Sequence, residues 1–287
     1  MHLKSTLSHR ETEPEKSVLY IVGTPIGNLE DISTRAIKVL RNVSLVACED
    51  TRHTKKIMGK FQISNSLISC NKHNYFQKIP FLVNNLKEGK SIALVSDAGM
   101  PSICDPGEEI VRAVKSYGFD VICIPGPCAA ITALVSSGMP SSSFIFLGFL
   151  PKKKKERKKL LSEISQEEKT TILYEAPHRL KQLLSELYEY CGGEREIEVT
   201  RELTKKFEEH IGKNINNAIS FFEGKEVIGE ITITVKGINK KNEQEINILD
   251  LKKELGELIN AGLSLSAASK YLSKKTGIKK RLIYNLS

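Results

Sequence analysis

The sequence lacks an uninterrupted apolar run long enough to cross a membrane. In the longest apolar tract, Val121 to Pro140, the motif PGP and Gly138 break the pattern, so the tract cannot form one spanning helix. Residues 1–17 are polar, mixed in charge and without an apolar core, which predicts a disordered extension rather than a signal peptide. We therefore expect a cytoplasmic protein with no membrane partner.

Cysteine pairs of the kind that bind zinc are also missing. None of the six cysteines belongs to a C-x-x-C pair, and most of them lie in apolar surroundings. This pattern favours reduced, buried thiols over disulfides or a zinc site. No metal is predicted.

The common phosphate-binding motifs are absent as well. The segment GTPIGN, residues 23–28, does not end in G-K-[ST], and no G-x-G-x-x-G follows a predicted strand. The sequence therefore argues against a P-loop nucleotide-binding protein and against a dinucleotide-binding domain. Any ligand must be of another kind.

Positive charge, in contrast, is abundant and concentrated. The net charge is +9, and Pro151 to Lys159 holds seven basic residues and one acid, while Gly262 to Ser287 holds six basic residues and no acid. Two such patches suggest a phosphate-rich partner. Either patch alone is equally typical of a solvated surface.

Alternating β-branched runs and helical patterns predict an α/β fold with mainly parallel sheets. We expect an α/β domain over residues 18–125, a second over residues 126–238, and a small basic helical domain over residues 247–287. The polar segment INKKNEQEIN between the last two is typical of a linker. Asp31 is predicted to cap the first helix, and Asp105 to cap the helix that DPGEE opens, with no role in chemistry.

Small and turn-forming residues follow three predicted strands of the first half, in GTPIGNLED, SDAGMP and PGPCAA. Ligands of open parallel sheets bind beyond the carboxyl ends of the strands, so these loops are predicted to frame one pocket. Each loop alone is also typical of an ordinary tight connection. The motifs YEAPHR and TRELTK place further polar residues after strands of the second half.

Seven motifs together resemble those of a known family, in the family's order and at about its spacing: LYIVGTPIGNLEDISTRA, EDTRHT, LVSDAGMPSICDPG, IPGPCAAITAL, GFLPKKKKER, YEAPHR and RELTK. They are similar to the tetrapyrrole-methylase family, in its branch of small-subunit ribosomal RNA methyltransferases. The resemblance implies two α/β domains with S-adenosylmethionine in the cleft between them, and a homodimer. It also implies 2′-O-methylation of a cytidine ribose at the decoding centre of 16S rRNA.

The resemblance further implies which residues form the site. Those expected to line the cofactor cleft are Pro25, Asp97, Gly99, Met100, Cys128, Ala129, Tyr174, Glu175 and Leu203. Met100 and Cys104 stand where relatives more often have Thr and Ser.

Removal of the hydroxyl proton calls for a base or a cationic neighbour, and Glu175, His178 and Lys205 are the candidates. Glu175 and Arg179 are four residues apart and also fit a simple ion pair at a helix start, and His178 fits a surface histidine.

Basic residues are expected to hold the RNA: Arg52, His53, Arg201, Lys152, Lys153, Lys154, Lys155, Lys274, Lys275, Lys279, Lys280 and Arg281. The last three helices also fit a small capping bundle with a solvated basic face. Two other functions stay open, a non-catalytic RNA-binding or assembly factor and a methylase of a small tetrapyrrole.

Overall fold

A computed structural model describes residues 12–238, 248–276 and 280–286 of the chain. It contains two five-stranded sheets, each covered by helices, followed by three helices. The α/β fold class with C-terminal helices, expected from the sequence, is confirmed.

The first sheet is entirely parallel, with strand order β3-β2-β4-β1-β5. Its strands are β1 (Val18–Val22), β2 (Leu45–Cys48), β3 (Leu67–Ser69), β4 (Ile92–Val95) and β5 (Asp120–Ile124). Its helices are α1 (Thr34–Asn42), α2 (Thr51–Lys60), α3 (Tyr75–Lys87) and α4 (Glu108–Ser116). Successive residues of β1 enter separate apolar cores on the two faces, as a parallel sheet covered on both sides requires.

The second sheet has the order β6-β7-β10-β8-β9. Its strands are β6 (Phe144–Phe149), β7 (Thr170–Glu175), β8 (Ile197–Arg201), β9 (Glu209–Gly212) and β10 (Ile231–Val235). The accompanying helices are α5 (Ala129–Ser137), α6 (Lys154–Gln166), α7 (Pro177–Cys191) and α8 (Ile215–Phe222). Helix α5 packs on this sheet, where Ala130 and Leu134 contact Ile172 of β7.

Only β6 and β7 are parallel in the second sheet. The expectation of mainly parallel sheets is therefore wrong for this half, because β10 lies antiparallel between β7 and β8. The carboxyl ends of β7 and β8 nevertheless lie at one edge, since Ile231 at the start of β10 pairs with both Glu175 and Arg201.

The last helices are α9 (Ile248–Asn260), α10 (Leu265–Thr276) and α11 (Lys280–Tyr284). Leu251, Leu255, Ala268, Leu272 and Ile283 form their common core. Most of the predicted linker, residues 239–247, lies outside the described residues. In the part of the chain that the structure describes, no helix combines the length and apolar character needed to span a membrane.

Two predicted helix caps are wrong. Ser33, rather than Asp31, caps α1 by accepting a hydrogen bond from the Ala36 amide, while Asp31 ends a short 3-10 helix, Leu29–Asp31. Helix α4 begins at Glu108 after Gly107, so Asp105 lies outside it and caps nothing.

The end of the predicted N-terminal extension contacts the first domain. The Glu13 side chain is buried and accepts two hydrogen bonds from Arg35, at 2.6 and 2.7 Å. Glu13 thus attaches the end of this segment to α1, whereas residues 1–11 lie outside the described residues.

Candidate active site

A cavity of about 340 Å³ lies where the loops of the two sheets meet. The loops that follow strands of the first sheet contribute Ile26, Ala98, Gly99, Met100, Ile103, Cys104, Asp105, Cys128 and Ala129 to its walls. The second half contributes Phe149, Tyr174, Glu175, Ala176, Pro177, Leu203, Gly229, Glu230, Ile231 and Thr232. The walls are mainly small or apolar, with a few polar groups, which is the usual make-up of a small-molecule site.

Glycines let three loops of the first half pack backbone against backbone. A Cβ added to Gly126 would lie 2.8 Å from the Gly23 Cα, closer than side chains are found. Thr24 and Gly99 form an antiparallel bridge, with amide-to-carbonyl distances of 2.9 and 3.1 Å. The three loops therefore form one rigid rim on the cavity, as predicted from their composition.

The first loop also joins the two halves. A Cβ on Gly27 would meet the Leu203 carbonyl at 2.9 Å, and the Asn28 amide donates a hydrogen bond to Thr204 Oγ1 at 3.0 Å. Glu202 and Thr204 both have left-handed backbone, with φ of 54° and 65°. Such backbone is uncommon for residues other than glycine and clusters at functional sites.

The segment SDAGMPSICDPG brings one acid to the cavity and not the other. Asp97 lies outside the cavity walls, and its carboxylate accepts a hydrogen bond from the Asp50 amide at 3.0 Å. Left-handed backbone at Ser102 and Cys104, with φ of 72° and 64°, turns the chain so that Asp105 lines the cavity.

Asp105 has an unusual ionisation. Burial, together with the neighbouring Glu49 carboxylate, raises its pKa to about 6. A carboxyl group with a pKa near neutral is suited to accepting a proton. The sequence pattern gave no sign of this, because DPGE matches a helix start.

Aromatic rings form the wall of the second half. Tyr174 contacts Phe146 and Phe149 edge to face, with centroid distances of 5.0 and 5.7 Å. The Tyr174 hydroxyl oxygen accepts a hydrogen bond from the Ala130 amide at 3.0 Å, at the start of α5. Burial raises the pKa of Tyr174 well above its ordinary value, so the phenol stays neutral.

Glu175 is at the cavity wall but is fully engaged by neighbours. Its side chain is 0% exposed, and Arg179 and Arg157 lie 2.8 and 3.5 Å from its carboxylate oxygens. The Ala176 amide donates to the same group at 2.9 Å. Glu175 thus forms the predicted ion pair with Arg179 and a second ion pair with Arg157. Because these partners occupy its carboxylate oxygens, Glu175 is poorly placed to accept a proton from a substrate.

Lys205 and His178 both lie outside the cavity walls. Lys205 pairs with Glu202 at 2.9 Å and with the cavity-lining Glu230 at 2.8 Å. Burial lowers the pKa of Lys205, but the hydrogen bonds to these carboxylates outweigh burial and raise it, so the ammonium cannot act as a base near neutral pH. His178 is exposed on the first turn of α7.

The structure brings together most of the predicted cofactor residues. Gly99, Met100, Cys128, Ala129, Tyr174, Glu175 and Leu203 line the cavity. Pro25 and Asp97 lie outside the cavity walls. Within the described residues, no cluster of three or more His, Cys, Asp or Glu side chains could hold a metal ion.

The predicted RNA-binding residues occupy several surfaces. Lys152, Lys153, Lys154 and Lys155, hereafter the lysine segment, are all exposed at the start of α6. Arg52 is exposed beside Asp50, and His53 is exposed next to it. Arg201 is mostly buried and pairs with Glu209 at 2.6 Å.

In the last domain, Lys280 and Arg281 are exposed. Lys279 and the side chains of Lys274 and Lys275 lie outside the described residues. Arg157, which the sequence places in a basic run, is instead buried between Glu175 and Glu186.

The family described as Tetrapyrrole (Corrin/Porphyrin) Methylases matches residues 18–218, and the chain belongs to this family. Within it the chain groups with the proteins named ribosomal RNA small subunit methyltransferase I. It is 43% identical to the protein of that name from Synechocystis over 94% of this chain and 97% of the relative. Its identity to the Bacillus subtilis protein is 42%, over 94% of each chain.

Solved structures share the fold at low sequence identity. A cobalt precorrin-4 methyltransferase matches with a TM-score of 0.59 and 16% identity, over 77% of this chain and 95% of its own. A uroporphyrin-III C-methyltransferase from Thermus thermophilus, solved with S-adenyl homocysteine, matches with a TM-score of 0.54 and 15% identity, over 75% and 96%. The predicted cofactor class, S-adenosylmethionine, is confirmed.

The cavity residues fit a cofactor of this kind. Its volume lies within the usual range for small-molecule sites, roughly 300–1,000 Å³. The wall combines an apolar side, with Ile26 and Leu203, and polar side chains such as Glu230 and Thr232. Apolar surface suits an adenine ring, and polar side chains suit the ribose and the amino-acid end of the cofactor.

Proposed function

We propose that the protein transfers a methyl group from S-adenosylmethionine to the 2′-oxygen of a cytidine ribose at the decoding centre of 16S rRNA. The observation that carries this proposal is the shared cavity, whose walls combine predicted cofactor residues of both halves with an ionisable carboxyl group. The names of the relatives, which refer to ribosomal RNA of the small subunit, support the choice of substrate.

Positioning supplies most of the catalysis in this proposal. S-adenosylmethionine carries an activated methyl group together with its own leaving group. The protein must hold the ribose hydroxyl in line with that methyl group, and such alignment is worth roughly 7–11 kcal/mol. The rim of glycine-packed loops around Gly23, Gly99 and Gly126 suits this task because it cannot easily shift.

Asp105 is the proposed proton acceptor. It lines the cavity, and a pKa of about 6 leaves it mostly ionised at neutral pH while close enough to neutrality to accept a proton. Of the candidates predicted from sequence, Glu175 is proposed to hold the wall in place. Lys205 is proposed to hold Glu230 at the cavity wall through their ion pair. His178, which is exposed and outside the cavity walls, is given no role in the reaction.

The lysine segment and the basic residues of the last domain are proposed to dock the RNA. Exposed lysines next to a cavity attract phosphates in a salt-dependent manner. A chain that ends at Gly237 should bind small subunits more weakly and methylate them more slowly. Equal methylation by the shortened and full chains at all salt concentrations would remove the last domain from the binding surface. From the family resemblance we further propose a cytoplasmic homodimer.

Ribose methylation of 16S rRNA in cells with and without the protein tests the proposal. We expect one cytidine of the decoding centre to lose its 2′-O-methyl group when the protein is absent. Supplying the Asp105→Asn variant should restore much less methylation than supplying the wild-type protein. An unchanged methylation map would instead favour a non-catalytic RNA-binding factor. Methylation of a tetrapyrrole by the pure protein would favour a methylase of small tetrapyrroles.

A further inference from the structure

A β-bulge places Phe149 on the cavity side of the second sheet. The register between β6 and β7 shifts between Phe146 and Gly148, and Gly148 has left-handed backbone with a φ of 62°. Residues three apart in a regular strand point to opposite faces, but here Phe146 and Phe149 both contact the Tyr174 ring. Bulges are frequent next to active sites, where they redirect a side chain.

The redirected ring is only partly covered. Phe149 is 52% exposed although it lines the cavity, and Tyr174 contacts it edge to face on one side. Nothing in the packing of the described residues requires a phenylalanine to remain open to water at this position. An aromatic face left open at the mouth of a site is suited to stacking on a flat ligand ring.

Positive charge follows this ring closely in the chain. The lysine segment begins three residues after Phe149, and all four of its lysines are exposed. Lys153 pairs with Glu156 at 3.3 Å. A basic segment beside an exposed aromatic ring is the combination by which proteins hold single-stranded nucleic acid, since lysines contact phosphates and the ring stacks on a base.

We propose that Phe149 stacks on the base of the nucleotide that is methylated, while the lysine segment contacts the adjoining phosphates. The inference rests on the proposed function and deepens it. It assigns the substrate as a nucleotide that has left the stack of its neighbours, as enzymes acting on nucleotides within folded nucleic acid commonly require. Phe149 is then a specificity-determining residue, distinct from the residues that hold the cofactor.

Kinetics with two variants of Phe149 test the inference. Phe149→Leu keeps an apolar side chain but removes the aromatic face, whereas Phe149→Tyr keeps the face. With small subunits from cells that lack the enzyme, we expect Phe149→Leu to lower kcat/KM by about 5- to 150-fold, the usual range for loss of one base stack. We expect Phe149→Tyr to stay near the wild type, and calorimetry should find the same S-adenosylmethionine affinity in all three proteins.

Phe76→Leu is the matched control, because Phe76 is 76% exposed on α3 and does not line the cavity. Thermal unfolding of each variant establishes that it is folded. Wild-type kcat/KM in the Phe149→Leu protein would overturn the inference. A loss of cofactor affinity as large as the loss of kcat/KM would also overturn it, because the ring would then belong to the cofactor site. If wild-type protein methylates no subunit at all, the proposed function fails instead.

Discussion

Replacing Glu175 by glutamine should destabilise the protein rather than merely slow its chemistry. The Glu175 side chain is 0% exposed and neutralises Arg157 and Arg179, whose side chains are 8% and 19% exposed. Glutamine keeps the volume but removes the negative charge, so two largely buried guanidinium groups lose their common partner. Removing one member of a buried ion pair costs about 3–5 kcal/mol of unfolding free energy. In a protein of this size, each kcal/mol corresponds to roughly 2–4 °C in Tm.

Glu186→Gln is the matched control for this prediction. Glu186 is 22% exposed, and among the described residues its ion pair is with Arg157, at 2.7 Å, so we expect a smaller loss of about 1–2 kcal/mol. Urea unfolding followed by circular dichroism measures both losses on the full chain. If Glu175→Gln unfolds like the wild type but loses methylation, Glu175 acts in the reaction and the structural role argued here is wrong.

Three further predictions concern the cavity and the surface near it. Asp105→Asn should abolish the rise of kcat/KM with pH that we expect through about pH 6 in the wild type, and an unchanged profile would remove Asp105 as proton acceptor. In the same comparison, the wild type should lose stability relative to the variant as pH rises from 3.8 toward 6, because the fold disfavours the ionised carboxylate. Gly126→Ala must push its backbone away from that of Gly23, so we expect it to lower the unfolding free energy by about 1–3 kcal/mol and to weaken cofactor binding. In Gly59→Ala the added methyl group meets nothing within 4 Å, so neither stability nor cofactor affinity should fall. Changing all four lysines of the lysine segment to alanine should reduce the slope of log K for subunit binding against log salt concentration by about 3. An unaltered slope would mean that the phosphates bind elsewhere.

The sequence predicts most of the strands and helices because local signals define them. Runs such as VLYIV and ITITV are rich in β-branched residues, and they form β1 and β10 as expected. The direction of β10 is not encoded locally, since a buried strand reads alike whichever way its neighbours run. For this reason the antiparallel part of the second sheet is visible only in the structure.

The candidate site shows the same division between local and long-range signals. Small residues in the loops predict the glycine-packed rim, because close backbone approach needs glycine. Asp105 and Phe149 escape sequence analysis for different reasons. DPGE has the residues of a helix start although no cap forms, and the bulge that redirects Phe149 depends on pairing with a strand more than twenty residues away.

Titration calorimetry with S-adenosylmethionine tests the central claim, that the loops of both halves form one cofactor site. We expect saturable binding of one molecule per chain to the pure, folded protein. Ala98→Trp should abolish this binding by placing an indole in the cavity, while Ala267→Trp, on the exposed surface of α10, should bind as the wild type does. Absence of binding to the folded wild type, or undiminished binding to Ala98→Trp, would contradict the account.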